Sequence, residues 1–118
     1  MVEAKFFRRY KGDTVLCELC PQYCKIKLEQ TGLCKARKNI YGVLYSINYA
    51  RAVTVNIDPI EKKPLYHFKP ASRAFSIATT GCNLRCLNCQ NWEISQDKPR
   101  EVRHVELFPD QVVSQAIR

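Results

Sequence analysis

Seven cysteines in two sets constrain this 118-residue chain more than any other feature. Cys17, Cys20, Cys24 and Cys34 stand in CELCPQYCKIKLEQTGLC; Cys82, Cys86 and Cys89 stand in GCNLRCLNCQNW. The total is odd, so a full disulfide framework leaves one thiol over. The amino-terminal MVEAKFFRRYKGD is charged throughout and lacks the apolar core of a secretory leader. No apolar run approaches the roughly 18 residues of a membrane-spanning helix. A cytoplasmic protein with no membrane association is expected, and in a reducing compartment clustered thiols bind metal or do chemistry more often than they cross-link.

The two sets differ in kind. Cys17-x₂-Cys20-x₃-Cys24-x₉-Cys34 supplies four ligands, enough to close a structural zinc site. A second, fully ligated iron–sulfur cluster fits the same spacing, and two disulfides rank third. The surrounding residues 17–38, with Pro21 and Gly32, have too little apolar content to fold by burial alone, so a metal staple is expected there. Cys82-x₃-Cys86-x₂-Cys89 supplies three ligands. Three thiols suit a [4Fe–4S] cluster with one iron left open, whereas structural zinc wants a fourth ligand. His104 could supply one but is distant in sequence. Three buried, metal-free cysteines are disfavoured, because the intervening Asn83, Arg85 and Asn88 are too polar for a core strand.

Local patterns divide the chain into a cysteine-rich metal-binding unit (1–40), a β-rich connecting segment (41–73) and the start of an α/β unit (74–118). Residues 1–16 read as a charged lead-in, with Phe6 and Phe7 either docked on the body or frayed. Residues 42–47 and 49–57 are rich in Val, Ile and Tyr, and the second alternates Tyr49, Arg51, Val53, Val55 and Ile57 on one face. DPIEKKPLYHFKPAS (58–72) carries three prolines and should form turns and short helical pieces. AFSIATT (74–80) is a short apolar strand leading directly into the three-cysteine loop. NWEISQ (91–96) reads as strand or turn, and 98–104 is polar. FPDQVVSQAIR (108–118) starts a helix with Val112, Val113, Ala116 and Ile117 on one face. It meets no stop signal, which suggests a piece of a longer protein. Strand, functional loop and helix together make one α/β step.

Among the remaining residues, His67 reads as a packed histidine between aromatics. Gln90, Asn91 and Trp92 either shape a cofactor pocket or form a turn anchored by a buried indole. Arg85, Lys62 and Lys63 read as solvent-facing.

TTGCNLRCLNCQNW resembles the cluster-binding loop of radical S-adenosylmethionine enzymes, and DPIEKKPLYHFKP with GCNLRCLNCQNWEISQ is similar to the branch related to pyruvate formate-lyase activating enzymes, including the radical enzyme of the AmmeMemoRadiSam system. The resemblance covers roughly residues 15–97. It implies a partial (β/α) barrel with the loop at the end of its first strand. Cys82, Cys86 and Cys89 would then each hold one iron of a [4Fe–4S] cluster, and S-adenosylmethionine would chelate the fourth. The implied activity is an oxidoreductase that reductively cleaves S-adenosylmethionine to a 5′-deoxyadenosyl radical. That radical abstracts hydrogen from a substrate, as in glycyl-radical activation or modification of a small molecule. An electron donor such as flavodoxin or ferredoxin is implied as partner. Two departures stand out. Asn88 occupies the position before the third cysteine where the family places an aromatic residue near the adenine. A Gly-Gly-Glu-type motif is also absent, so the piece by itself is expected to be inactive.

A competing expectation comes from the net charge of +8. A small zinc module with surplus Lys and Arg could contact nucleic acid. Metal thiolates would offset part of that charge, and the basic residues are spread along the chain rather than gathered in a block.

Overall fold

The computed structural model describes residues 1–97, 99 and 102–118, so Lys98, Arg100 and Glu101 of the polar 98–104 stretch lie outside the described residues. The architecture is mixed α+β, built from small antiparallel sheets with two short helices.

The expected charged lead-in is instead paired backbone. Strands β1 (Val2–Glu3), β2 (Phe7–Lys11) and β3 (Thr14–Cys17) occupy it. Gly12, at φ +53°, turns β2 back onto β3, and β4 (Lys25–Ile26) extends the sheet to the order β2-β3-β4. Charged side chains hide β2 in the sequence because it is a solvent-facing edge; its partner β3 carries the buried Val15 and Leu16. Phe6 is exposed and Phe7 packs against the core. A second sheet, in the order β1-β6-β5, joins β5 (Arg37–Ile40) to β6 (Val43–Ser46), which matches the strand expected at 42–47.

Ala4, Val15, Cys17, Ile26 and Leu44 form the core between these sheets. Burying side chains the size of Val15, Ile26 and Leu44 contributes roughly 1.5–3 kcal/mol each, which is little for a unit of this size. Asn39 is fully buried beside them and ties three segments together. Its Nδ2 donates to the carbonyls of Asp13 (2.6 Å) and Ile26 (2.9 Å), and its Oδ1 accepts from the Gly42 amide (2.9 Å).

The single strand expected at 49–57 is broken at Val53. Its halves are β7 (Arg51–Ala52) and β8 (Thr54–Pro59), and they serve different partners. β8 pairs with β9 (Arg73–Ala78) through an unbroken six-residue register. β7 pairs with β10 (Val105–Glu106), a strand too short and polar to announce itself. The apolar alternation of 49–57 persists on β8, but Val55 and Ile57 are exposed there, opposite Ile77 and Phe75 of β9.

Between β8 and β9 the proline-rich stretch forms a 3₁₀ turn at Ile60–Lys62 and further turns, as its composition predicts. Lys62 and Lys63 do not simply face solvent. Both grip the largely buried Asp58, at 3.0 and 2.9 Å. His67 is not packed between aromatics; it is exposed along with Tyr66 and Phe68. NWEISQ is neither strand nor simple turn but holds the short helix α1 (Trp92–Ser95). The carboxy-terminal helix α2 (Pro109–Ile117) forms where expected. The Phe108 amide donates to Gln111 Oε1 at its start, and none of its residues is buried. No helix among the described residues is long and apolar enough to cross a membrane.

Candidate metal centre

β3 delivers Cys17 at its last position, and the Cys17 amide donates to the Cys24 carbonyl (2.9 Å), closing a loop over Cys20. Inside that loop the Tyr23 amide donates to the Cys20 carbonyl, with Tyr23 at φ +42°. Cys34 sits in the next turn. There the Gly32 amide donates to the Arg37 carbonyl and the Lys35 amide to the Gly32 carbonyl, both at 2.9 Å. Gly32 lies flat against Cys24; a Cβ there would stand 3.7 Å from the Cys24 sulfur and 3.2 Å from Ile26 Cδ1.

The result is that Cys17, Cys20, Cys24 and Cys34 line one cavity of about 30 Å³. All seven cysteines are free thiols, so neither set is disulfide-bonded. Among the described residues no three or more His, Cys, Asp or Glu side chains are already drawn to metal-holding distances. The donor chemistry nonetheless fits a metal. Four cysteines line one small pocket, and Arg37, only 8% exposed, reaches in from β5 to donate to Cys17 Sγ at 3.3 Å. Among the described residues no carboxylate is ion-paired with that guanidinium. A buried cation needs an anion beside it, and a metal tetrathiolate carries net negative charge.

The three-cysteine loop leaves the carboxy-terminal end of β9. Its base is closed by the Gly81 amide, which donates to the Ile94 carbonyl (3.1 Å), while α1 turns on Asn91. Cys82 and Cys89 are half-buried and Cys86 is exposed. Cys89 Sγ and Ser95 Oγ stand 3.5 Å apart. Leu84, Leu87 and Trp92 are exposed around the loop, so Trp92 is not a buried anchor; Gln90, Asn91 and Asn88 are exposed as well. Beneath the loop, Asn48 donates to Thr79 Oγ1 (3.1 Å) and to the carbonyl of Thr80 (3.4 Å); the Thr80 hydroxyl itself is buried without a protein partner. His104 does not join the cysteines. Its Nδ1 lies 3.2 Å from the carbonyl of Val102.

The two cysteine sets are neighbours, which their separation in sequence gave no reason to expect. Cys20, Cys34 and Cys82 line a common cavity of about 450 Å³. Arg85 is exposed, as expected, and also donates to the carbonyl of Leu33 (3.1 Å), while Gln22 donates to the carbonyl of Asn83 (3.0 Å). Sequence reasoning also missed Arg37 and Asn39. Arg37 follows Cys34 by three positions, and that proximity is the one signal that could have raised it.

No family model matches the chain, and no solved structure matches it. All 118 residues align at 48% identity with an uncharacterized protein of Methanocaldococcus jannaschii, and the chain spans about 35% of that relative's length.

Proposed function

We propose that this chain is part of a radical S-adenosylmethionine oxidoreductase related to the pyruvate formate-lyase activating enzymes, with its redox centre on Cys82, Cys86 and Cys89 and a structural metal, zinc before a second cluster, on Cys17, Cys20, Cys24 and Cys34. The observation that carries this reading is the three-thiol loop at the carboxy-terminal end of β9, open to solvent at Cys86. Three protein ligands leave one iron of a cubane free for a substrate-like ligand. Strand ends of this polarity are where barrel enzymes build their sites.

A [4Fe–4S] centre held by Cys82, Cys86 and Cys89 would supply one-electron reductive cleavage of S-adenosylmethionine for hydrogen abstraction, with the electron coming from a flavodoxin- or ferredoxin-type donor. The chain's own residues hold and shape that site. The Gly81–Ile94 bond closes the loop's base, and Cys89 is steadied beside Ser95. Leu84, Leu87 and Trp92 form an apolar rim suited to excluding water once covered. Val55, Ile57 and Ile77 present an exposed apolar face on the β8–β9 ribbon. That face is consistent with β9 as the first strand of a partial barrel continued by further chain, since a two-stranded ribbon is marginal alone.

The nucleic-acid reading is weaker. The basic residues are spread along the chain rather than gathered in one block, and Lys25 already lies over the Tyr10 ring on the basic strand β2 at 4.7 Å.

Anaerobic reconstitution with iron and sulfide tests the proposal. A brown protein with a broad visible absorption shoulder, as expected for about four irons per three-thiol loop, should form. Replacement of Cys82, Cys86 or Cys89 by Ala should abolish it, and Cys24→Ser should leave that loop's cluster in place. A wild-type protein that takes up neither iron nor sulfide would sink the proposal.

A further inference from the structure

We propose that the four-cysteine cage controls the three-cysteine loop. A divalent metal held by Cys17, Cys20, Cys24 and Cys34 locks residues 79–97 in their docked position, and its loss releases them. This rests on the reading of the cage as a metal site and does not depend on the radical chemistry.

The first observation is the seam between the two sets. Each side-chain hydrogen bond across it ends on a backbone carbonyl, two donated from the cage turns and one from the loop. Gln22 donates to the Asn83 carbonyl, Arg85 to the Leu33 carbonyl, and Lys35 Nζ to the Gln96 carbonyl. The tightest contact involves no side chain. Gly81 is pressed so close to Cys34 that a Cβ there would lie 2.5 Å from the Cys34 carbonyl oxygen and 3.1 Å from Ala36 Cβ. With φ +101°, Gly81 also adopts a conformation that other residues rarely take.

The second observation is what holds the cage side of that seam. Gln22, Leu33, Cys34 and Lys35 sit on turns with left-handed residues at Tyr23 and Lys35. The apolar side chains on those turns face outward, Leu19 at 54% and Leu33 at 40% exposure. Backbone hydrogen bonds and the packing of Cys24 on the core hold these turns. Cys17, Cys20, Cys24 and Cys34 all line the 30 Å³ cavity, and a metal ligated there would add a direct tie between those turns. Metal ligation at Cys34 would fix the residue whose carbonyl receives Gly81, and ligation at Cys20 and Cys34 would set one wall of the cavity that Cys82 shares.

The test uses the protein with Cys82, Cys86 and Cys89 all replaced by Ser, so that added zinc can occupy only the cage. Zinc should bind at one per chain and slow amide exchange across 79–97 by about tenfold, as expected when a locally opening segment is pinned. Cys24→Ser in that background should bind no zinc and show no slowing. Gly81→Ala should bind zinc normally yet lose the slowing, because its Cβ cannot seat against Cys34. Stoichiometric zinc with unchanged exchange at 79–97 overturns the coupling and leaves the cage intact. Absence of zinc binding overturns both. Failure of the iron-centre reading registers separately, in the iron and sulfide content of the wild-type protein.

Discussion

Arg37 donates from Nη1 to the sulfur of Cys17 across 3.3 Å, and both residues are buried. A guanidinium sheltered from water is costly unless an anion stands next to it, and a metal-bound thiolate is the anion this pocket can offer. Arg37→Met keeps the bulk and removes the charge. It should weaken zinc binding by about ten- to a hundred-fold, the usual effect of losing a partner to a metal ligand. Competition with a chromophoric chelator measures this, and an unchanged affinity would mean that Arg37 serves packing alone.

Removing metal should destabilise the amino-terminal unit. Its core of Ala4, Val15, Cys17, Ile26 and Leu44 is small, so bound metal should supply a large share of its stability. At a thousand-fold excess of free zinc over its dissociation constant, linkage stabilises the folded state by about 4 kcal/mol. A melting curve with zinc, repeated with excess chelator, should show the transition move down. Cys24→Ser should melt at the chelated temperature in both.

Asn39→Ala should cost about 2–4 kcal/mol, because it strands the carbonyls of Asp13 and Ile26 and the amide of Gly42 in a buried site. Asn39→Asp should also destabilise, since a carboxylate cannot donate to either carbonyl. Urea midpoints for the two variants check both expectations.

Asp58, near the end of β8, ties that strand to the proline-rich turn that follows it. Lys63, and after it Lys62, hold the Asp58 carboxyl well below its ordinary value of 3.8. A depressed folded value contributes stability that is complete above the unfolded value and fades as the pH falls beneath it. The wild type should therefore lose more urea resistance than Asp58→Asn on going from about pH 5 to about pH 2. Parallel losses would show that the two lysines do little for the fold.

Much of the candidate site was legible in order and composition. Cysteine spacing set four thiols apart from three, and strand-favouring composition, an apolar run and proline punctuation located β6, β9 and the turns between Pro59 and Ser72. These signals are local, so they survive without knowledge of partners. The edge strand β2 and the short β10 were not legible, because their pairing depends on a neighbour and not on their own side chains. Nor was the break at Val53, where two strands diverge to different sheets. Arg37 was not singled out in the sequence, and only β5 turns it toward Cys17. Spacing alone determined which thiols belong together. Only the tertiary fold decided that the two sets meet, because contact between Gly81 and Cys34 depends on chain reversals between them that no local pattern encodes.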